Sequence, residues 1–303
     1  MKEIRTRHPC LRAGLIVGGP DRQPPERYKG DNHGKVKWLH GPREGDRTLS
    51  QSAQFLQEAK EGVEEFARLV RSFKEAEPTL CWHAMLDDGA SMNTDSRREL
   101  TEILSQAYGS TPIYFDAVHV GHVACPRLYW PSFPIRREDM AIRGLGLKQR
   151  AKDGLMEVIP SGMITSSDDG VPVRSKLKVE QFLDKGCEKK SLGPFPNATR
   201  RRQLAKTPSE EQVERKKHDE MTLRRWEDSQ WPLSPVHYKP ENCVIDRGKL
   251  RPPNANESER MRGFRAGYTE GASEAPLSDE YRIGLIGSSI SCIVLAQLLG
   301  SWG

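Results

Sequence analysis

Residues 13–25, AGLIVGGPDRQPP, read as a buried parallel strand that opens into a loop at its carboxyl end, where α/β proteins keep their chemistry. The loop carries no nucleophile: Gly18, Gly19 and Pro20 are followed by Asp21, Arg22 and Gln23. His119 and His122 lie three apart near a strand end, but no third ligand is close in sequence, so no metal site is expected. The stretch 197–226 mixes both charge signs with a basic excess. That pattern suits a solvated helix or a disordered insert, and also a surface that contacts nucleic-acid phosphates.

Positioning any such residues requires a core, and the composition allows only a modest one. Hydrophobic residues make up 36% of the 303 and charged residues 29%, which implies long exposed segments. The net charge of +5 favours a polyanionic partner only slightly. Six widely spaced cysteines with no C-x-x-C pair exclude a compact disulfide framework and zinc-ligand spacing, and fit a reducing compartment. The N-terminal MKEIRTRHPCLRAG has no apolar h-region, so a nuclear or cytoplasmic setting is expected. The C-terminal IGLIGSSISCIVLAQLLGSW could pass for a membrane span, but its Gly, Ser and Gln297 interruptions favour a buried helix.

The periodicity predicts a strand at 13–19 and a helix opening at a Thr48–Gln51 capping box. Phe55, Ala59, Val63, Phe66, Val70 and Phe73 should line one face of that helix, and Pro78 should stop it. A strand at 79–86 should follow, ending in Asp87-Asp88-Gly89. A second helix should open at a Ser96–Glu99 box, and a third strand should run over 112–120. Alternation with short connections predicts an α/β fold built on a parallel unit. Near the end, NANESERMRGF should form a short helix with Asn256 as cap and Gly263 as stop, and a Gly287-Ser288-Ser289 loop should precede the last helix.

In this order the segments LIVGGPDRQ, MLDDGASMNTDSRRELTEIL, VGHVACPRLYW, GPFPNATRRR, LRPPNANESERMRGFRAGYT and RIGLIGSSISCIVLAQLLG resemble motifs of the DNA cytosine-5 methyltransferases, particularly the de novo type. The resemblance implies a partial, Rossmann-like S-adenosylmethionine-dependent methyltransferase domain, N-terminally truncated and degenerate, since the family's Gly-rich cofactor loop has no counterpart. It divides the chain into a partial α/β unit (1–130), a target-recognition-like, partly disordered region (131–250) and C-terminal motifs that pack back on the α/β unit (251–303).

In that family a cytosine is flipped from duplex DNA, a cysteine attacks ring carbon six, a glutamate holds N3, and C5 accepts the methyl group. Carried over by position, the nucleophile slot is Arg22, whose guanidinium stays protonated and cannot form the adduct. Asp87 stands in the Glu-Asn-Val slot, one methylene short. In the Arg-x-Arg slot Cys125 replaces the first arginine and Arg127 remains. Ser288 and Ser289 stand in the cofactor-binding Gly-Asn-Ser motif, and Thr199, Arg200, Arg201 and Arg202 in the DNA-binding region. Plainer readings stay open: Asp87-Asp88-Gly89 as a strand-to-helix turn, Arg127 as a surface arginine over a packed aromatic, and Ser288-Ser289 as a helix cap.

The resemblance implies S-adenosylmethionine as cofactor and duplex DNA as partner. Three functions remain open: a methyltransferase-like protein without transfer activity, an enzyme completed by upstream or partner sequence, and a non-enzymatic DNA-binding or interaction module.

Overall fold

A computed structural model describes residues 13–18, 49–90, 92, 94–161, 178–197, 216–229, 233–272 and 276–300. Strand β1 (Ala13–Gly18) pairs in parallel with β2 (Cys81–Gly89), and helix α1 (Leu49–Ala76) lies between them in sequence. Within α1, Val63, Ala67 and Val70 recur at helical spacing and are buried. Pro78, which cannot donate to the helix ladder, follows its end. The expected Thr48 cap lies outside the described residues.

Helix α2 (Thr94–Tyr108) begins two residues before Ser96, so Ser96 is a buried first-turn residue and does not cap the helix as expected. Strand β3 (Ile113–Asp116) is shorter than the expected 112–120. The Asp116 side chain accepts a hydrogen bond from Val118 N and turns 117–119 into a 3-10 turn.

The parallel unit expected from the sequence is a mixed sheet. After β4 (Val123–Ala124), β5 (Pro126–Pro131) runs antiparallel between β2 and β3. The physical reason is the connection: residues 117–125 are too few for the crossover of about a dozen residues that a parallel partner needs. Proline sits only at the two ends of β5, where a missing N–H costs least. A short helix, α3 (Arg137–Ile142), leads into β6 (Leu145–Gln149) and β7 (Met156–Pro160), and β7 pairs in parallel with β3. The six strands lie in the order β1-β2-β5-β3-β7-β6. Expected strands 13–19, 79–86 and 112–120 therefore run the same way, but the last two are not neighbours.

The two faces of this sheet bury different partners. On one, Leu86, Leu128 and Trp130 pack against Val63 of α1 and Leu100 and Leu104 of α2. On the other, Met85, Tyr129 and Phe115 pack with residues from the C-terminal part of the chain. That part contains β8 (Phe195–Pro196), paired with β4, and α4 (Glu220–Asp228), capped by Asp219 and anchored by the buried Trp226. A hairpin follows, β9 (Val244–Asp246) and β10 (Lys249–Arg251), whose two turn residues Arg247 and Gly248 both have positive φ (49° and 80°).

Helix α5 (Ala255–Met261) is capped by Asn254, which forms a full capping box with Glu257. The expected cap, Asn256, instead accepts hydrogen bonds from Gly267 N and from Arg282. Both Asn254 and Asn256 have a glutamate three residues on, so pattern alone could not choose between them. The Arg251 guanidinium on Glu257 favours the earlier start. Gly263 stops the helix as expected, at φ +85°, a conformation that favours glycine, with Cys292 and Ile293 packed where a Cβ would sit.

The C-terminal apolar run forms two helices, α6 (Asp279–Ser288) and α7 (Cys292–Leu299). As one stretch, Asp279–Leu299 has the length and hydropathy of a bilayer span, yet the helix breaks at Ser289, and Val294 and Leu298 are fully buried in the core.

His237, in a 3-10 turn at Pro235–Tyr238, makes stability depend on pH, because burial pushes its imidazole from 6.5 down to about 4. Above pH 6.5 folded and unfolded chains both hold it neutral. As pH falls from 6.5 towards 4, only the unfolded chain gains the proton, and about 3 kcal/mol of stability is lost. Urea midpoints for wild type and His237→Gln, taken at pH 7 and pH 4.5, should show a drop that is smaller in the variant.

Candidate functional site

The register of β2 on β5 places Asp87 opposite Tyr129 and Gly89 opposite Arg127, so Asp87, Arg127 and Tyr129 share one face at the carboxyl end of β2. The Arg127 guanidinium donates through Nη1 to Asp87 Oδ2, and through Nη2 to the carbonyl of Ser288 at 2.6 Å. Only 6% of the Asp87 side chain and 13% of Arg127 is exposed, so this ion pair is largely shielded from water. Burial works against the Arg127 charge, but the Asp87 carboxylate, with Cys125 and Tyr129, more than offsets it and holds the guanidinium above its ordinary value. Burial, reinforced by Asp87, pushes the Tyr129 phenol well up, so the hydroxyl keeps its proton. That hydroxyl is enclosed and has no hydrogen-bond partner among the described residues.

Three residues expected from the sequence are thus brought together, Asp87 and Arg127 through a side-chain contact and Ser288 through its carbonyl, whereas the Ser289 carbonyl accepts from Arg262. Asp87 and Asp88 lie within β2 and not in a turn. Arg127 is half-buried and paired, so it is not a free surface arginine. The Ser288 hydroxyl donates to Gly284 O (3.0 Å) and the Ser289 hydroxyl to Ile286 O (2.8 Å), both back onto their own helix. Arg22 and the Thr199–Arg202 run lie outside the described residues. His119 is held below its ordinary value by burial, and the His122 ring packs on Phe182 at 5.3 Å. No cluster of three or more metal-ligating side chains occurs among the described residues.

Three site residues escaped the sequence reading. Tyr129 was legible only as part of an aromatic pair, although its spacing of two from Arg127 puts both on one strand face. Arg262 and Asn197 lie in motif-like segments but far from Asp87 in sequence. Arg262 caps the C-terminus of α5, is 3% exposed, and donates to Ser289 O (3.1 Å), Cys125 Sγ (3.4 Å) and Asn197 Oδ1. Asn197 in turn donates to Gly287 O at 3.3 Å. Cys125 is held by its own backbone N–H, which donates to Asp116 Oδ1 at 2.8 Å.

Chemically, the site offers a carboxylate acceptor, a fixed guanidinium donor and a protonated phenol within one shielded corner. Such a set can read the polar edge of a planar heterocycle. Among the described residues, the one thiol that the site's hydrogen bonds reach is the buried Cys125.

No protein-family profile matches the chain, and no curated protein matches it in sequence. Solved structures similar to it include a triple alanine mutant of Spodoptera frugiperda DNMT2, with a TM-score of 0.41 and 14% identity over 95% of this chain and 79% of that one. Another is the S. pombe Dnmt2 methyltransferase, with a TM-score of 0.44 and 12% identity over 95% of this chain and 98% of that one.

Proposed function

We propose that this chain is a cytosine-recognising, DNA-binding protein of the cytosine-5 methyltransferase type that transfers no methyl group by itself. One observation carries the reading. Asp87 and Arg127, from two separate motif-like segments, form a shielded pair at the carboxyl end of β2. Cytosine presents an exocyclic amine that donates and an O2 that accepts, and a carboxylate beside a guanidinium complements both. Thymine presents O4 where cytosine has its amine, and a carboxylate repels it. Discrimination of this kind comes from the groups that the wrong base leaves unpaired.

The resemblance implies S-adenosylmethionine, and the described residues do not fit it well. At the Ser288-Ser289 turn both hydroxyls donate to their own helix and both carbonyls are taken by arginines. No step is derived through that cofactor. The Arg200-Arg201-Arg202 run follows Asn197 closely in sequence and supplies phosphate contacts in this reading.

The test is fluorescence anisotropy with a labelled duplex carrying one mispaired cytosine, which is cheap to extrude, against the same duplex with thymine. Wild type should prefer cytosine. Changing Arg200, Arg201 and Arg202 together to Ala should weaken both duplexes alike and flatten the slope of log K against log salt by about 2.7. Equal affinity for the two bases in wild type would overturn the base-recognition reading.

A further inference from the structure

At the C-terminus of α6, three successive carbonyls each accept a hydrogen bond from a side chain of a different segment. Gly287 O takes Asn197 Nδ2, Ser288 O takes Arg127 Nη2, and Ser289 O takes Arg262 Nη1. These are the groups that a helix end leaves without partners, at the negative end of its dipole, so two guanidiniums there are favoured electrostatically. Arg127 also holds Asp87, so the position of this turn and the position of the site's ion pair are set together.

Arg262 is the unusual member. It is buried, its partners are a thiol, an amide oxygen and a carbonyl, and no carboxylate lies in salt-bridge reach among the described residues. A buried cation with only neutral acceptors is costly. Lysine, a single point donor, could not replace its fork between the turn and Cys125. Its guanidinium rests on Cys125 Sγ, two residues before Arg127 on the chain.

We infer that Arg262 is a positioning residue for the Asp87–Arg127 pair, delivering from α5 the second guanidinium that residue 125 lacks. This rests on the proposed base-recognition reading. Arg262 fixes the Ser288-Ser289 turn, the turn fixes the second arm of Arg127, and Arg127 then presents Asp87 in one orientation. Without Arg262 the turn is free to shift, and Arg127 can follow it away from the carboxylate.

Relocating the charge separates positioning from simple packing. Arg262→Ala should reduce the preference for a mispaired-cytosine duplex over its thymine counterpart about 10-fold, with the common, salt-dependent affinity kept. Arg262→Lys should fall between, and Cys125→Arg added to Arg262→Ala should recover most of the preference. An unchanged preference in Arg262→Ala, or one that the relocated arginine fails to restore, overturns the inference.

A second measurement keeps it decidable if wild type shows no base preference and the base-recognition reading fails. In a double-mutant cycle of Arg262→Lys with Asp87→Asn, followed by urea unfolding, coupling should shift the unfolding constant of the double variant at least about 3-fold from the product of the singles. Additivity within that limit would show that Arg262 does not position the pair.

Discussion

Asp87→Asn should abolish the discrimination between cytosine and thymine, a change of roughly 5- to 150-fold, taking about 1–3 kcal/mol as the value of one well-matched polar pair at a base edge. An amide can turn either its oxygen or its NH2 towards the base, so it satisfies thymine O4 as readily as the cytosine amine. The same change should lower stability by about 3–5 kcal/mol, because it strands the Arg127 guanidinium, 13% exposed, without its anion. The two effects separate in the double variant Asp87→Leu/Arg127→Leu. Replacing a buried ion pair by apolar residues of similar volume is close to neutral for stability, so urea midpoints should recover while base preference stays lost. Retained discrimination in Asp87→Asn would remove Asp87 from the site.

Purified wild-type chain, incubated with S-adenosylmethionine and a cytosine duplex, should transfer no methyl group above background, and a 5-fluorocytosine duplex should give no covalent adduct on a denaturing gel. The reason lies in residue type. In the proposed reading Arg22 occupies the nucleophile's slot, and a guanidinium that keeps its proton at neutral pH offers no lone pair to ring carbon six. Loss of a covalent nucleophile costs on the order of 10^6 in rate where it has been dissected in other enzymes. Calorimetric titration with S-adenosylmethionine should likewise be silent, since the Ser288-Ser289 turn spends its hydroxyls and carbonyls on the protein itself. Methyl transfer that persists in Arg22→Ala would overturn this expectation and point to a different nucleophile.

Much of the local structure was legible because it depends on neighbours in sequence. The α1 stripe at Val63, Phe66 and Val70, the arrest before Pro78 and the left-handed stop at Gly263 follow from helical period, a missing N–H and a missing Cβ. Boundaries shifted where two local solutions compete, as with Asn254 and Asn256: Glu257 of the earlier start is held by nearby Arg251 and by the backbone N–H of Asp184, 73 positions away. The direction of β5 was legible in principle from the short 117–125 connection. Alternation of strand and helix predicts a parallel sheet, and the antiparallel entry of β5 between β2 and β3 makes it mixed.

The sequence by itself determined the residue types that meet at the site: a carboxylate at 87, a cysteine at 125 with an arginine two positions on, and two serines before the last helix. These depend on composition and order alone. Only the tertiary structure decided that Asp87 meets Arg127, that the Ser288 and Ser289 carbonyls accept from Arg127 and Arg262, and that Arg262, 137 positions along the chain from Cys125, stands against its sulfur. Those contacts arise when an antiparallel strand enters between β2 and β3 and the α6 terminus docks beside it. Such long-range pairing leaves no periodic trace in the segments that make it.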